Sequence, residues 1–289
     1  MPTLSVIIPS RNEIFLQQTI DDILLKAKGD IEVIVVLDGY YPQPPLKPDP
    51  KLVVIHNNYP KGTRNALNVG VAVSRGEYVM KSDAHCMFGQ GFDQILTADC
   101  DDNWVVVPRR LRLDAENWRV QPDTPKKPPI DYMYLSSPGH YSRDGNTWSQ
   151  RIIERLNKPE YLIDETMTMQ SSSWLMKKTH FNNFLNGLSE VGYGPYIREG
   201  EEICLKTWLG GGRVMTNKNT WYAHLHKGTR YGRMYFLNKR HIVRGIAYCD
   251  DFWFNNRWTE AKHDLAWLIE RFMPVPSWTP ELIEQVRKK

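Results

Sequence analysis

Asp83-Ala84-His85 is the segment with the sharpest chemical promise. It follows a short apolar run, Glu77 to Met80, so a carboxylate and an imidazole leave one strand end together and can turn toward one divalent cation. Such ligands suit Mn²⁺, Mg²⁺ or Zn²⁺, with hard oxygen partners completing the shell. A turn built on Asp, with His85 solvated, gives the same letters, and a zinc hydrolase uses such ligands too. The dyad alone therefore leaves the reaction open. A second patch, Glu199-Gly200-Glu201-Glu202, stands at the start of a helical stretch, Gly200 to Leu209, which Gly210-Gly211-Gly212 closes. Glutamates at a helix start complement its dipole, which accounts for Glu201 and Glu202. The third patch is Trp221-Tyr222-Ala223-His224-Leu225-His226-Lys227. On a strand, His224 and His226 would share one face. Residues 227–248 then carry Lys227, Arg230, Arg233, Lys239, Arg240 and Arg244 without an acidic residue, interleaved with Tyr231, Tyr235, Phe236 and Tyr248. Such a run forms a solvated basic face, closes over phosphate groups, or contacts nucleic acid through cations and stacked aromatics. Arg109-Arg110-Leu111-Arg112 and Lys126-Lys127 favour the last reading.

These residues need elements to position them. Leu4 to Pro9, Ile31 to Leu37 and Leu52 to Ile55 are short apolar runs that read as strands, like Glu77 to Met80. Phe15 to Ala27 and Thr63 to Ser74 between them have helical spacing, while the proline-rich residues 40–50 form a loop. Strand–helix repetition of this kind predicts an α/β fold, a mostly parallel sheet with helices on both faces. Ligands bind beyond the carboxyl ends of such strands, here Pro9 to Glu13, Asp38-Gly39 and Ser82 to His85. Trp104 to Pro108 and Ser171 to Met176 read as further strands, residues 109–162 as loops and short strands, and Glu260 to Phe272 as an amphipathic helix. The expected division is a catalytic domain over residues 1–225, with a nucleotide-binding half to about residue 100 and an acceptor-side half beyond. Residues 226–289 would form a basic aromatic loop and a helical extension.

Composition narrows the class. The 289 residues, 41% hydrophobic and 24% charged, can bury a full core and exclude a disordered chain. Four cysteines without a CxxC pair exclude a disulfide scaffold and a thiolate zinc cluster. The formal charge of +4 agrees with an anionic ligand without requiring one. Met1-Pro2-Thr3-Leu4 enters a strand with no charged leader, and no apolar run reaches membrane-spanning length, so a cytoplasmic location is expected.

The string YVMKSDAHCMFGQGF closely resembles the metal-binding strand end of polypeptide N-acetylgalactosaminyltransferases, which read aspartate-any-histidine. GTRNALNVG, SRGEY, IIPSRNE and VVLDG resemble, in order, segments of family-2 glycosyltransferases, so the likeness spans residues 4–98. The resemblance implies the GT-A fold of nucleotide-sugar glycosyltransferases and a hexosyl or N-acetylhexosaminyl transfer from a nucleotide-diphosphate sugar, UDP-linked in most relatives. By position it implies that Pro9 and Glu13 lie beside base and ribose, that Asp38 accepts from the base, and that Arg64 lies near the nucleotide. Leu37 replaces the first of two acidic residues common there, leaving Asp38 to read the base alone. Asp83, His85 and His224 would hold the Mn²⁺ or Mg²⁺ that bridges the diphosphate. Lys227 and Arg230 would belong to a lid on it. Glu199 would be the catalytic carboxylate, although Gly200 replaces an aspartate that many inverting relatives carry. The acceptor hydroxyl stays open among a soluble saccharide, a lipid-linked one and a hydroxymethylated pyrimidine in DNA. A nucleotide- or nucleic-acid-binding module without turnover is the non-enzymatic alternative.

Overall fold

Mostly apolar strands are stable only where both faces are covered, and β1 (Leu4–Ser10) and β2 (Ile31–Asp38) are buried along almost their whole length, with the polar Ser5 and Glu32 bonded to each other at 2.6 Å. The computed structural model describes residues 1–124, 127–138 and 145–288; Lys126 lies outside them. The chain continues through α1 (Leu16–Lys26), β3 (Leu52–Asn57), α2 (Thr63–Val73), β4 (Tyr78–Ser82), β5 (Cys86–Phe88), α3 (Phe92–Ala98) and β6 (Trp104–Asp114). After β7 (Arg119–Val120), β8 (Met133–Tyr134), β9 (Asn146–Thr147) and α4 (Ser149–Glu154) come β10 (Ile163–Glu165), β11 (Ser173–Lys177), α5 (Glu199–Leu209) and β12 (Arg213–His224). Four helices close the chain: α6 (Gly228–Tyr231), α7 (Lys239–Phe254), α8 (Leu265–Phe272) and α9 (Pro280–Gln285).

The main sheet runs β10-β12-β6-β11-β4-β1-β2-β3. Its first-half strands are parallel to one another, as is the pair β6 and β12. β11 inserts antiparallel between β4 and β6, and β10 is antiparallel at the far edge, so the second half is mixed. Alternation along β1 divides the core: Val6 and Ile8 pack with Leu16, Ile20 and Ile23 of α1 on one face, Ile7 with Ala66, Leu67 and Val71 of α2 on the other. At Gly70 of α2, a Cβ would stand 2.5 Å from Ile7 Cγ2, so glycine sets how closely that helix seats on the sheet.

The C-terminal helices share this core. Cys249, Trp253, Leu268, Ile269 and Phe272 join the cluster around Trp208 and Trp148. Two elements differ from the sequence reading. The helix expected over residues 260–272 begins at Leu265, because Asp264 caps it by accepting from the backbone N–H of Trp267 at 2.8 Å. Residues 239–254, read as part of a basic run, form the 16-residue α7, which buries only a narrow stripe of Gly245, Cys249 and Trp253. Among the described residues no helix is long and apolar enough to cross a membrane.

Candidate active site

Parallel strands align their carboxyl ends, so β1, β2 and β4 deliver Pro9, Asp38 and the Asp83–His85 turn to one edge of the sheet. β12 brings His224 there by a different route. It runs antiparallel to β5 with His224 opposite Cys86, which sets the imidazole beside that of His85. The ring centroids are 4.8 Å apart. His224 Nε2 lies 3.2 Å and His85 Nε2 4.0 Å from Asp83 Oδ2, and one ligand atom from each residue falls within 4.8 Å of the others. Ligand bonds of about 2.1 Å place neighbouring donors about 3 Å apart at right angles and about 4 Å apart across the ion, so the spacing fits one cation. The donor set of two imidazoles and a carboxylate fits Mn²⁺, Mg²⁺ or Zn²⁺.

The electrostatics prepare these ligands. Burial pushes the His224 imidazole down to about 3 against the pull of Asp83, so it is neutral near pH 7 and has a lone pair for a metal. Its Nδ1 is buried with no hydrogen-bond partner among the described residues. Burial would raise the Asp83 carboxyl, but Lys81 and the two imidazoles overcome it and hold the group far below the usual carboxylate range. Lys81, whose side chain is 3% exposed, donates to Asp83 Oδ1 at 2.8 Å and to the carbonyl of Ser171. It also stands 3.7 Å from Glu199 Oε1. Burial disfavours the Lys81 charge, yet the two carboxylates outweigh that and raise its pKa. Glu199, at the first turn of α5, is raised by burial despite Lys81 and a 3.0 Å bond from the indole N–H of Trp174. On the opposite side, Lys227 donates to both oxygens of Glu13 at 2.5 and 2.6 Å, and Glu13 Oε2 lies 3.3 Å from His85 Nδ1. A carboxylate behind a ligating histidine fixes its ring orientation.

One cleft of about 830 Å³ is lined by the three candidate ligands together with Pro9, Glu13, Asp38, Glu199 and Lys227. Asp38 is already engaged: Oδ1 accepts from the Lys61 N–H at 2.7 Å and Asn57 Nδ2 at 3.1 Å, and Oδ2 from the Gly62 N–H at 2.9 Å. Glu13 stands at the ligand cluster, against His85 and Lys227. His226 is turned to Arg110, 2.7 Å from Nε2, and burial and that cation push it down to about 4. Two expected residues lie elsewhere. Arg64 is fully buried away from the cleft; it pairs with Glu202, donates to the carbonyls of Ile197 and Ser189, and packs on the Tyr193 ring at 4.1 Å. Its guanidinium ties α2 to α5. Arg230 points outward to Glu116. Lys81 was not singled out from sequence; the signal was a lysine inside an otherwise apolar strand. Arg11, within the Pro9–Glu13 strand end, and Tyr235, within the basic aromatic run, were given no individual role from sequence. The Arg11 guanidinium lies 4.5 Å over the Tyr235 ring and donates to Tyr196 Oη at 2.5 Å, and all three residues line the cleft.

Comparison with known proteins adds a second line of observation. The profile of the family described as glycosyl transferase family 2 matches residues 5–181, more than half of the chain. The chain belongs to glycosyl transferase family 2. It is 30% identical over 254 residues to the probable N-acetylgalactosaminyltransferase 7 of Caenorhabditis elegans, covering 78% of this chain and 39% of that protein. It is 31% identical over 110 residues to the uncharacterized glycosyltransferase EpsJ of Bacillus subtilis, covering 36% of this chain and 32% of the relative. The chain thus spans well under half the length of either. In fold it is similar to GalNAc-T7 solved with UDP, GalNAc and Mn²⁺, with a TM-score of 0.67 at 18% identity over 99% of this chain and 55% of that one. The mannosyltransferase PcManGT of Pyrobaculum calidifontis, solved with GDP-Man and Mn²⁺, gives a TM-score of 0.54 at 15% identity, covering 86% of this chain and 64% of that one. S. aureus TarS, solved with UDP-GlcNAc, gives 0.53 at 14%, covering 85% and 64%. These likenesses place the chain in the GT-A fold.

Proposed function

We propose that this family member transfers a sugar from a nucleotide-diphosphate sugar, UDP-linked, to an acceptor hydroxyl, with Mn²⁺ or Mg²⁺ held by Asp83, His85 and His224. The observation that carries the reading is the convergence of Asp83 Oδ2 and two imidazoles in the same cleft as Asp38, Glu199 and Lys227. Solved neighbours contain UDP or GDP-Man with Mn²⁺, or UDP-GlcNAc, which supports the donor class and the metal. A divalent ion held by these three residues would supply Lewis-acid stabilisation of the charge on a departing diphosphate.

The residues divide the remaining work. Lys81 holds Asp83 Oδ1 and leaves Oδ2 turned to the imidazoles. Glu13 keeps the His85 ring in place, and Lys227 adds a cation at the same end of the cleft. Glu199, made more basic by burial, takes the acceptor proton. Residues 1–225 carry this machinery apart from Lys227, which opens the following segment, and the acceptor enters over residues 109–170. A soluble or lipid-linked saccharide and a hydroxymethylated pyrimidine in DNA are the acceptor readings. The DNA reading rests on the basic run and the Arg109 to Arg112 and Lys126-Lys127 clusters of the sequence, and turnover on hydroxymethylated but not unmodified DNA would establish it. The donor reading is tested by UDP-sugar hydrolysis without acceptor. Hydrolysis that needs Mn²⁺ and stops with EDTA is the expected result. Nucleotide binding without metal and without turnover of any donor would make the chain a binding module.

A further inference from the structure

The segment after the ligand cluster lines the cleft with Arg233, Tyr235 and Leu237 and turns a second, charged face outward beside it. Arg233, Lys239, Arg240 and Arg244 are exposed, and no carboxylate pairs with them among the described residues. Surface arginines elsewhere find partners: Arg230 with Glu116, Arg257 with Asp251, Arg271 with Glu165 and Arg287 with Glu270. Three of the four unpaired cations lie in the first turns of α7, which has no acidic residue in its first turn, so they oppose the helix dipole. Large apolar side chains stand out beside them: Phe236 is 80%, Val243 66% and Met234 62% exposed. On α7, Arg240, Val243 and Arg244 fall at helical spacing, away from the buried stripe of Gly245, Cys249 and Trp253. The same segment turns Leu237, Ile242 and Ile246 into the cleft, where Met169 and Ile197 continue an apolar wall.

We propose that residues 233–247 dock on an anionic lipid bilayer, and that the cleft beside them takes a lipid-linked acceptor from that surface. Charge complementarity favours anionic headgroups. Exposed Phe, Val and Met gain by entering the acyl boundary, whereas a nucleic-acid phosphate offers such side chains nothing. The docking stands without the transferase reading; the acceptor clause rests on it.

Flotation of the full chain with vesicles separates the two. Vesicles of equal phosphatidylcholine and phosphatidylglycerol should retain the protein, those of phosphatidylcholine alone should not, and salt should release it. Arg240→Ala with Arg244→Ala should lower partitioning about 25-fold, at about fivefold per cation near an anionic surface. Phe236→Ser should lower it about tenfold from its lost apolar burial, and at moderate salt, where part of the wild type stays bound, the same factor should remain. The substituted side chains are exposed, so melting temperatures should not move. No vesicle binding, variants that bind like wild type, or binding to duplex DNA without a vesicle preference would each overturn the docking. For the acceptor clause, transfer to a glycolipid should occur in anionic vesicles and fall in the double variant while hydrolysis of free UDP-sugar is unchanged. Equal transfer by the double variant would overturn that clause.

Discussion

Lys81→Met tests how the candidate ligand site is held together before any metal arrives. The substitution keeps the length of the side chain and removes its charge, which is shared by Asp83 at 2.8 Å and Glu199 at 3.7 Å. Deleting one partner of a buried ion pair costs about 3–5 kcal/mol. Here the lower end applies, because the Asp83 side chain keeps 30% exposure and Glu199, already raised by burial, can take up a proton. At about 2–4 °C per kcal/mol for a chain approaching this size, a loss of about 3 kcal/mol lowers Tm by about 6–12 °C. A divalent cation on Asp83 Oδ2 supplies positive charge in place of the lysine, so saturating Mn²⁺ should recover part of the loss. Glu199→Gln on the Lys81→Met background should do the same without metal. Scanning calorimetry with EDTA and then with Mn²⁺ reads all three. An unchanged Tm in EDTA, or the same deficit with and without Mn²⁺, would refute the claim that Lys81 balances these two carboxylates.

Glu199→Gln should cut kcat about 10²–10⁴-fold if the carboxylate takes the acceptor proton, with UDP affinity unchanged in a binding titration. Equal losses in both would make it a positioning residue. Arg64→Met should destabilise the chain by about 3 kcal/mol in urea unfolding, because Glu202 loses one of its two cations and keeps only Lys206 at 2.8 Å, and the carbonyls of Ile197 and Ser189 lose a donor, while UDP binds the folded protein as before. Weakened UDP binding at full stability would return Arg64 to the nucleotide. His180, buried against Phe184 and 3.1 Å from Thr207 Oγ1, is pushed by burial from 6.5 to about 4. The unfolded chain therefore binds the extra proton, and this contribution to stability is lost as pH falls from 6.5 to about 4. It amounts to about 3 kcal/mol at about 1.4 kcal/mol per pH unit. Urea midpoints in this window should fall less steeply for His180→Phe than for wild type, and parallel profiles would exclude the assignment.

The strands that lead to Pro9, Asp38 and Asp83 were legible because they are mostly apolar, broken only by single polar residues such as Ser5, Glu32 and Lys81, and end in polar turns. The ligand pair of Asp83 and His224, 141 positions apart, needed the family resemblance. Sequence spacing places both histidines 224 and 226 on one face, and only the end of β12 and the Arg110 side chain separate them. The burial of Arg64 was not legible because its partner Glu202 is 138 positions away, and no local pattern announces a buried pair. Lys81 escaped for a related reason: a lone lysine in a strand gains meaning only when β11 and α5 bring Ser171 and Glu199 to it. The α7 helix was hidden by its composition. Its buried stripe is one residue wide, and cations and aromatics fill the rest.

Crystals of the chain soaked with Mn²⁺ and UDP, read by anomalous diffraction, put the central claim to its most direct test. The account predicts a single strong peak in bonding distance of Asp83 Oδ2, His85 Nε2 and His224 Nε2, with the diphosphate on its open side and the uracil toward Asp38. A manganese peak away from His224, or UDP seated in the cleft with no metal on these three residues, would contradict it.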